Sequence, residues 1–240
     1  MFVQYNITLT PARPIPSAKW LGIPLNGFVY EQVRRVNPEL AQLLHDDDDK
    51  PFSLSFDKAG RSIELTLNTW DSDLIAVIPS AFAVDKPGHI HDIDIRVDGI
   101  RRVQSLDVKA PVSLSQRKTV QIDFRTPTCF SSQGKTLLLP EARLILDSIA
   151  RRTLSETGTD VEQFYRIVEG FTLEAYKLET VMVDFQRFTK PGFVGWCQFQ
   201  IEKDLPPDDR KQLLALLRVM PYTGIGYKTT MGMGMVSLDI

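Results

Sequence analysis

Gly224-Ile-Gly-Tyr-Lys-Thr-Thr-Met-Gly-Met-Gly234 lies between a helix-like segment opened by Pro206-Pro-Asp-Asp209 and a closing apolar run, Met235-Val-Ser-Leu-Asp-Ile240. Glycine has no Cβ, so such a run takes positive φ and lets another backbone come close. Its amides can also face an anion, as in phosphate-binding nests. Lys228, Thr229 and Thr230 add a cation and two hydroxyls. Two readings stand. One is a phosphate or RNA-backbone contact at Gly224, Gly226, Lys228, Gly232 and Gly234. The other is a tight helix-to-strand turn that only glycine permits. The elements around the run decide its place in the fold.

Upstream, Leu213, Leu214 and Leu217 give a helix its buried face, and first-turn acids suit the helix dipole. Two long strands precede it, 172–187 and 193–203, joined by Phe188-Thr-Lys-Pro-Gly192. A short helix is expected over 160–168. Pro140-Glu141 opens another, with Ala142, Ile145, Leu146 and Ile149 at helical spacing and Arg143, Asp147 and Arg151 on its other side. Val120, Ile122 and Phe124 alternate as a strand. The glycine run and the last strand thus close a βαββαβ order.

The first half shows the same order. Val3, Tyr5, Ile7 and Leu9 alternate as a strand, and a helix follows over 25–36. Asn37-Pro-Glu39 places an N-cap, a first-turn proline and a first-turn acid in sequence, so a second helix starts there. Phe52, Leu54 and Phe56 pair with Ile63, Leu65 and Leu67 as a hairpin around the turn Asp57-Lys-Ala-Gly60. Asp71 or Ser72 caps a helix through Phe82, and Ile93, Ile95 and Val97 form a strand that a further one near 101–108 extends. With Pro111 to Gln116 as the linker, the chain reads as an α+β protein of two tandem ferredoxin-like domains, 1–112 and 117–240.

The 240 residues are 43% apolar, enough for a sizeable core in each half. No apolar run is long enough to span a membrane, and the N-terminus lacks a signal-peptide pattern. Cys129 and Cys197 are too few for a disulfide framework and fit reduced thiols, so a cytoplasmic protein is expected. The formal net charge is -2, against the basic balance usual for nucleic-acid binders. The charge is uneven, with acids in Asp46-Asp-Asp-Asp49 and bases paired at Arg34-Arg35, Arg101-Arg102 and Arg151-Arg152.

Three residues could carry chemistry in the first half: Tyr30 on the first helix, His45 at the end of the second, and Lys50 beyond the aspartates. Internal transesterification of RNA needs a base for the 2′-hydroxyl, an acid for the leaving 5′-oxygen and a cation for the added charge. Histidine suits the acid or base role, and a helix C-terminus with neighbouring aspartates favours the protonated form, so His45 reads as the acid. The alternative is an ordinary helix-end surface histidine. His89 and His91 would share one strand face, where a His-x-His pair can hold zinc, though no third ligand is evident. There is no Walker A motif, dinucleotide fingerprint or G-x-S-x-G elbow.

The chain resembles the CRISPR-associated endoribonucleases that cut repeat RNA into guide units, the sixth of the Cas families. Four stretches carry this resemblance. The first comprises Pro24 to Tyr30, Asn37 to His45 and Lys50 to Ser55. The second is Phe185-Gln-Arg-Phe188 with Gly192-Phe-Val-Gly195. Leu213 to Met220 is the third, and the tail, matching G-h-G-x-K-T-x-M-G-h-G with h apolar, is the fourth. The resemblance implies metal-independent cleavage without a cofactor, leaving a 5′-hydroxyl and a 2′,3′-cyclic phosphate, with RNA crossing between the domains. It implies Tyr30, His45 and Lys50 as the catalytic set. Lys228 takes the basic position of the glycine loop, and Arg143, Arg151, Arg187 and Lys190 lie where RNA is contacted. The implied partner is CRISPR repeat RNA, precursor and processed, with a CRISPR effector complex or a homodimer as further assemblies. Some members of the family bind RNA without cutting it, so a non-cleaving RNA-binding subunit is the alternative function. The four aspartates beside His45 depart from what a phosphate-binding surface would favour.

Overall fold

The computed structural model describes residues 1–15, 20–108, 110, 118–158, 160–185 and 187–239, without the side chains of 154–157. The expected linker, Pro111 to Gln116, lies outside the described residues. Two compact units form. The first comprises Met1–Leu106 with Asp184–Thr189 and Lys228–Gly232; the second comprises Asp107–Val183, Lys190–Tyr227 and Met233–Ile240. The tip of the long hairpin and the middle of the glycine run therefore pack with the first unit, a division that no cut in linear sequence contains.

The first unit is built from β1 (Phe2–Pro11), α1 (Gly22–Val36), α2 (Pro38–Asp46), β2 (Phe52–Ala59), β3 (Ser62–Thr69), α3 (Ser72–Ala81), β4 (Pro87–Ile90) and β5 (Ile93–Leu106). Its sheet has the order β2-β3-β1-β5-β4, antiparallel at each junction. Without the edge strand β4 this is the ferredoxin-like arrangement. Strand alternation puts Val3, Tyr5, Ile7 and Leu9 on one buried face, against Leu25, Phe28, Val29 and Val33 of α1 and Leu74 and Ile78 of α3.

Local chemistry explains most boundaries. Asn37 caps α2 by accepting the Leu40 N–H at 3.0 Å, with Pro38 at the first helical position. Asp71 caps α3 by accepting the Leu74 N–H at 2.7 Å. Helix α1 begins at Gly22, three residues before the expected start, because a proline such as Pro24 is tolerated in a first turn whose N–H groups lack helical partners. The β2–β3 turn sits two residues later than expected. Ala59 pairs with Ser62, leaving Gly60-Arg61 as a two-residue turn in which only Gly60, at φ 62°, needs a left-handed backbone. The two strands expected at 93–97 and 101–108 are one strand, β5, which bends through two register shifts against β1.

The second unit contains β6 (Thr119–Thr128), the small hairpin β7 (Phe130–Ser132) and β8 (Lys135–Leu137), α4 (Ala142–Thr157), α5 (Val161–Glu169), β9 (Phe171–Asp184), β10 (Thr189–Ile201), α6 (Pro207–Thr223) and β11 (Val236–Asp239). The order β11-β6-β10-β9 is again ferredoxin-like. Asp209, in the first turn of α6, binds Arg166 of α5 through both carboxylate oxygens, at 2.7 and 3.2 Å. Among the described residues no helix is long and apolar enough to cross a membrane.

Candidate active site

Helix α2 ends beside α1, and its C-terminal carbonyls meet Tyr30 and Lys50. The last carbonyls of a helix lack intrahelical partners and need donors from elsewhere. The Tyr30 hydroxyl donates to the Leu44 oxygen at 3.1 Å. The Lys50 ammonium donates to the His45 oxygen at 2.9 Å and also to the Asp47 oxygen. A cation at this end is favoured by the helix dipole. Between these anchors the His45 side chain is 73% exposed. Its Nδ1 lies 3.2 Å from Asp46 Oδ1, which fixes the ring's orientation and leaves Nε2 toward solvent chemistry. The Tyr30 ring sits edge-on to His45, with centroids 5.9 Å apart, and edge-on to Phe52 at 5.7 Å.

The electrostatics assign roles. Burial, and secondarily the Asp47 charge, push the Tyr30 hydroxyl up to about 12, so it keeps its proton at neutral pH and has it to donate. Hydrogen bonds from Gln42 and His45 hold the Asp46 carboxyl below its ordinary value, so it stays an acceptor for the imidazole. Two of the three Lys50 N–H groups are held by main-chain carbonyls, leaving one for an incoming anion. The geometry can present one titratable imidazole from a helix end whose backbone two side chains hold in place.

The glycine run is held from within the protein. In the second unit, the Gly224 N–H caps α6 at Met220 O, and the Gly226 N–H donates to Ser148 Oγ at 2.7 Å. The Gly234 N–H donates to Pro127 O at 3.0 Å. Arg152 binds the Thr223 and Gly226 oxygens, each at 2.7 Å. In the first unit, Trp20 Nε1 donates to Met231 O at 2.6 Å, Asn26 Nδ2 to Thr230 O at 2.9 Å, and the Gly232 N–H to Thr229 O at 3.4 Å. The four glycine amides thus point at protein acceptors. Of the run, Tyr227 is exposed, and the Lys228 side chain is half-buried on a left-handed backbone at φ 59°, with Nζ 3.5 Å from Met231 Sδ, 5.6 Å from the Phe185 ring centre and 5.8 Å from that of Phe188.

The remaining sequence-predicted contacts are dispersed. Arg143 pairs with Asp147 at 3.6 Å and lies over the Tyr165 ring, Lys190 lies over Tyr227 at 4.9 Å, and Arg151 and Arg187 are exposed. The shared strand face expected for His89 and His91 does not form. His89 is on β4, 2.8 Å from Asp94, while His91 occupies the β4–β5 turn at φ 56°, because a two-residue hairpin needs a left-handed position there. Among the described residues no three metal-ligating side chains cluster. Burial pushes the Cys197 thiol up to about 12, which leaves it inert as a nucleophile. Sequence reasoning missed Trp20, Asn26, Ser148 and Arg152, which hold the glycine run over long sequence separations; no local signal marks them.

The family model for CRISPR-associated endoribonuclease Cas6 matches residues 122–236. A CRISPR-associated endoribonuclease Cas6 of Streptococcus thermophilus is 24% identical over 235 residues, covering 92% of this chain and 93% of the relative. One from Mycobacterium tuberculosis is 23% identical over 127 residues, covering 52% of this chain and 40% of the relative. Among solved structures, a Cas6 product complex superposes with a TM-score of 0.82 at 22% identity, covering 100% of both chains. Thermus thermophilus Cas6 superposes at 0.74 and 21% identity, covering 100% of this chain and 98% of the other. A RAMP protein binding different RNA substrates superposes at 0.62 and 17%, covering 99% of this chain and 100% of the other. These superpositions agree with two tandem ferredoxin-like folds. By sequence and fold together, the chain is similar to the CRISPR-associated endoribonucleases of the Cas6 family.

Proposed function

We propose that this protein is a metal-independent endoribonuclease that cuts CRISPR precursor RNA within its repeats. The reading is carried by His45, exposed at a helix end that Tyr30 and Lys50 hold, in a chain related throughout its length to Cas6 endoribonucleases. A ribose 2′-hydroxyl loses its proton to a base, its oxygen bonds to the adjacent phosphorus, and the bond to the 5′-oxygen breaks. His45 gives a proton to that leaving oxygen, leaving a 2′,3′-cyclic phosphate and a 5′-hydroxyl. Lys50 supplies its remaining N–H to the negative charge that builds on the phosphate. Tyr30 keeps the end of α2 in place. Lys228, together with Arg143, Arg151, Arg187 and Lys190, gives the RNA cationic contacts.

The test is incubation of the purified protein with its repeat RNA in EDTA, beside His45→Ala. The expected result is cleavage in EDTA by the wild type and a loss of about 10²- to 10⁴-fold in the variant, the usual range for acid–base catalysis. Wild-type protein that binds repeat RNA without cutting it would replace this reading with a non-cleaving RNA-binding subunit. An unchanged rate in His45→Ala would remove the acid assignment alone.

A further inference from the structure

The first unit contains a cleft of about 860 Å³ at the end of its sheet, apart from the Tyr30/His45/Lys50 group. Its floor follows from register. Lys58 pairs with Ile63, Ile63 with Leu9 and Leu9 with Val97, so all four share one sheet face, and Ile95 follows two residues from Val97. Farther along the sheet this face is covered by α1 and α3; here Leu9, Ile63, Ile95 and Val97 stay buried and Lys58 reaches the surface. Ile63 and Ile95 are buried at its base, and the more exposed Pro11, Ile15 and Pro87 make an apolar surface able to take a planar base.

The rim is charged. Arg13, Lys58, Arg61 and Arg96 line it against two carboxylates, Asp85 and Asp94. Arg13 is paired with Asp92, Arg96 with Asp98 at 2.6 Å, and Asp94 with His89. Among the described residues Lys58 and Arg61 have no acidic partner and no acceptor, and both are exposed. The Gly60-Arg61 turn holds them together at the tip of the hairpin. Two adjacent cations beside an apolar floor match a phosphodiester with an unstacked base.

Position selects among anionic ligands. The cleft lies at the end of β2 remote from Lys50, and the six steps from Phe52 to Lys58 span roughly 20 Å at about 3.3 Å each. A ligand engaging both His45 and the cleft must therefore be a polymer rather than a mononucleotide.

We propose that this cleft binds a single-stranded segment of the repeat RNA remote from the scissile phosphate, with Lys58 and Arg61 on the backbone and a base against Pro11, Ile15 and Pro87. This rests on the endoribonuclease reading for the identity of the RNA, but its test needs no cleavage. Labelled repeat RNA with a 2′-deoxy nucleotide at the cleavage position is titrated against wild type and Lys58→Gln/Arg61→Gln at several salt concentrations. Both side chains are exposed on a hairpin turn, and matching thermal melts check that the variant is folded. The expected result is at least a tenfold loss of affinity and a salt slope shallower by about 1.4, two single-strand phosphate contacts at about 0.7 each. A short oligonucleotide confined to the cleavage position should bind both proteins equally. Equal affinity and slope for the full repeat would overturn the proposal, as would an equal loss on the short oligonucleotide. Tight binding of a free mononucleotide that is lost in the variant would overturn it in favour of a nucleotide pocket. A wild type that binds the repeat through this cleft but never cuts would sink the endonuclease reading and leave this inference standing.

Discussion

Lys50 reaches back along the chain to donate its ammonium to the His45 carbonyl oxygen at 2.9 Å. One residue earlier, the Leu44 carbonyl takes the Tyr30 hydroxyl. Two members of the Tyr/His/Lys group are thus bonded to the backbone that carries the third. Lys50→Ala should therefore slow cleavage at saturating RNA by about one to two orders of magnitude, in line with the ~1.5–3 kcal/mol of a charged hydrogen bond. It should also speed hydrogen exchange at the Asp47 N–H, which closes the last turn of α2 on Leu43 O at 3.0 Å. A slower reaction with unchanged exchange would mean that Lys50 acts on the phosphate alone.

Tyr30→Phe removes the donor to Leu44 and keeps the ring. It should cost about 1 kcal/mol of stability near neutral pH. Its pH dependence has a definite sign. The folded-state value is raised to about 12 from 10.0, so the folded protein holds this proton more tightly than the unfolded chain. The associated stability is complete below pH ~10 and lost as pH rises toward ~12. Urea midpoints of wild type and variant should differ at pH 8 and converge above pH 10. A gap that widens with pH would contradict this.

Asp209 has the opposite sign. Its hydrogen bonds from Arg166, and then from Gln163, hold the carboxyl below the ordinary 3.8, against the burial that opposes them. The unfolded chain therefore takes up this proton first as pH falls. The pair's stability is present above about pH 4 and lost below it. Asp209→Asn should destabilise the protein at pH 7, with the difference shrinking below pH 4. A difference at pH 3 equal to that at pH 7 would rule out the ionised pair as its source.

Two glycines of α1 should respond oppositely to alanine. A Cβ on Gly22 would overlap the Met231 carbonyl oxygen and the Trp20 indole nitrogen, while nothing lies within 4 Å of one on Gly27. Gly22→Ala should cost about 1–3 kcal/mol by overpacking. It should also loosen Lys228–Gly232. Gly27→Ala, in a helix interior, should gain about 0.5–1 kcal/mol. Thermal melts read both, and a shift of the same sign in both would show that the close approach at Gly22 does not govern its tolerance.

Much of this was legible locally. Alternating apolar residues located β1, β2, β3, β6 and the first part of β5. Asn37 and Asp71 marked helix starts because a side-chain oxygen accepting an N–H is a contact three residues long. The spacing of Tyr30, His45 and Lys50 around one short helix already placed them near each other. Less visible was what their polar atoms bind. A carbonyl carries no sequence signature, so the bonds to Leu44 and His45 emerged only with coordinates.

By itself, the sequence determined two βαββαβ orders, the cap of α2 and a glycine run that must take positive φ, since these depend on periodicity and on backbone sterics within a few residues. The tertiary structure alone decided where that run packs and which way its atoms face. Trp20 and Met231 are 211 residues apart in the chain, as Arg152 and Thr223 are 71. Contacts of that separation follow from the packing of whole elements. They turn the amides of Gly224, Gly226, Gly232 and Gly234 inward and set the half-buried Lys228 side chain beside Phe185 and Phe188.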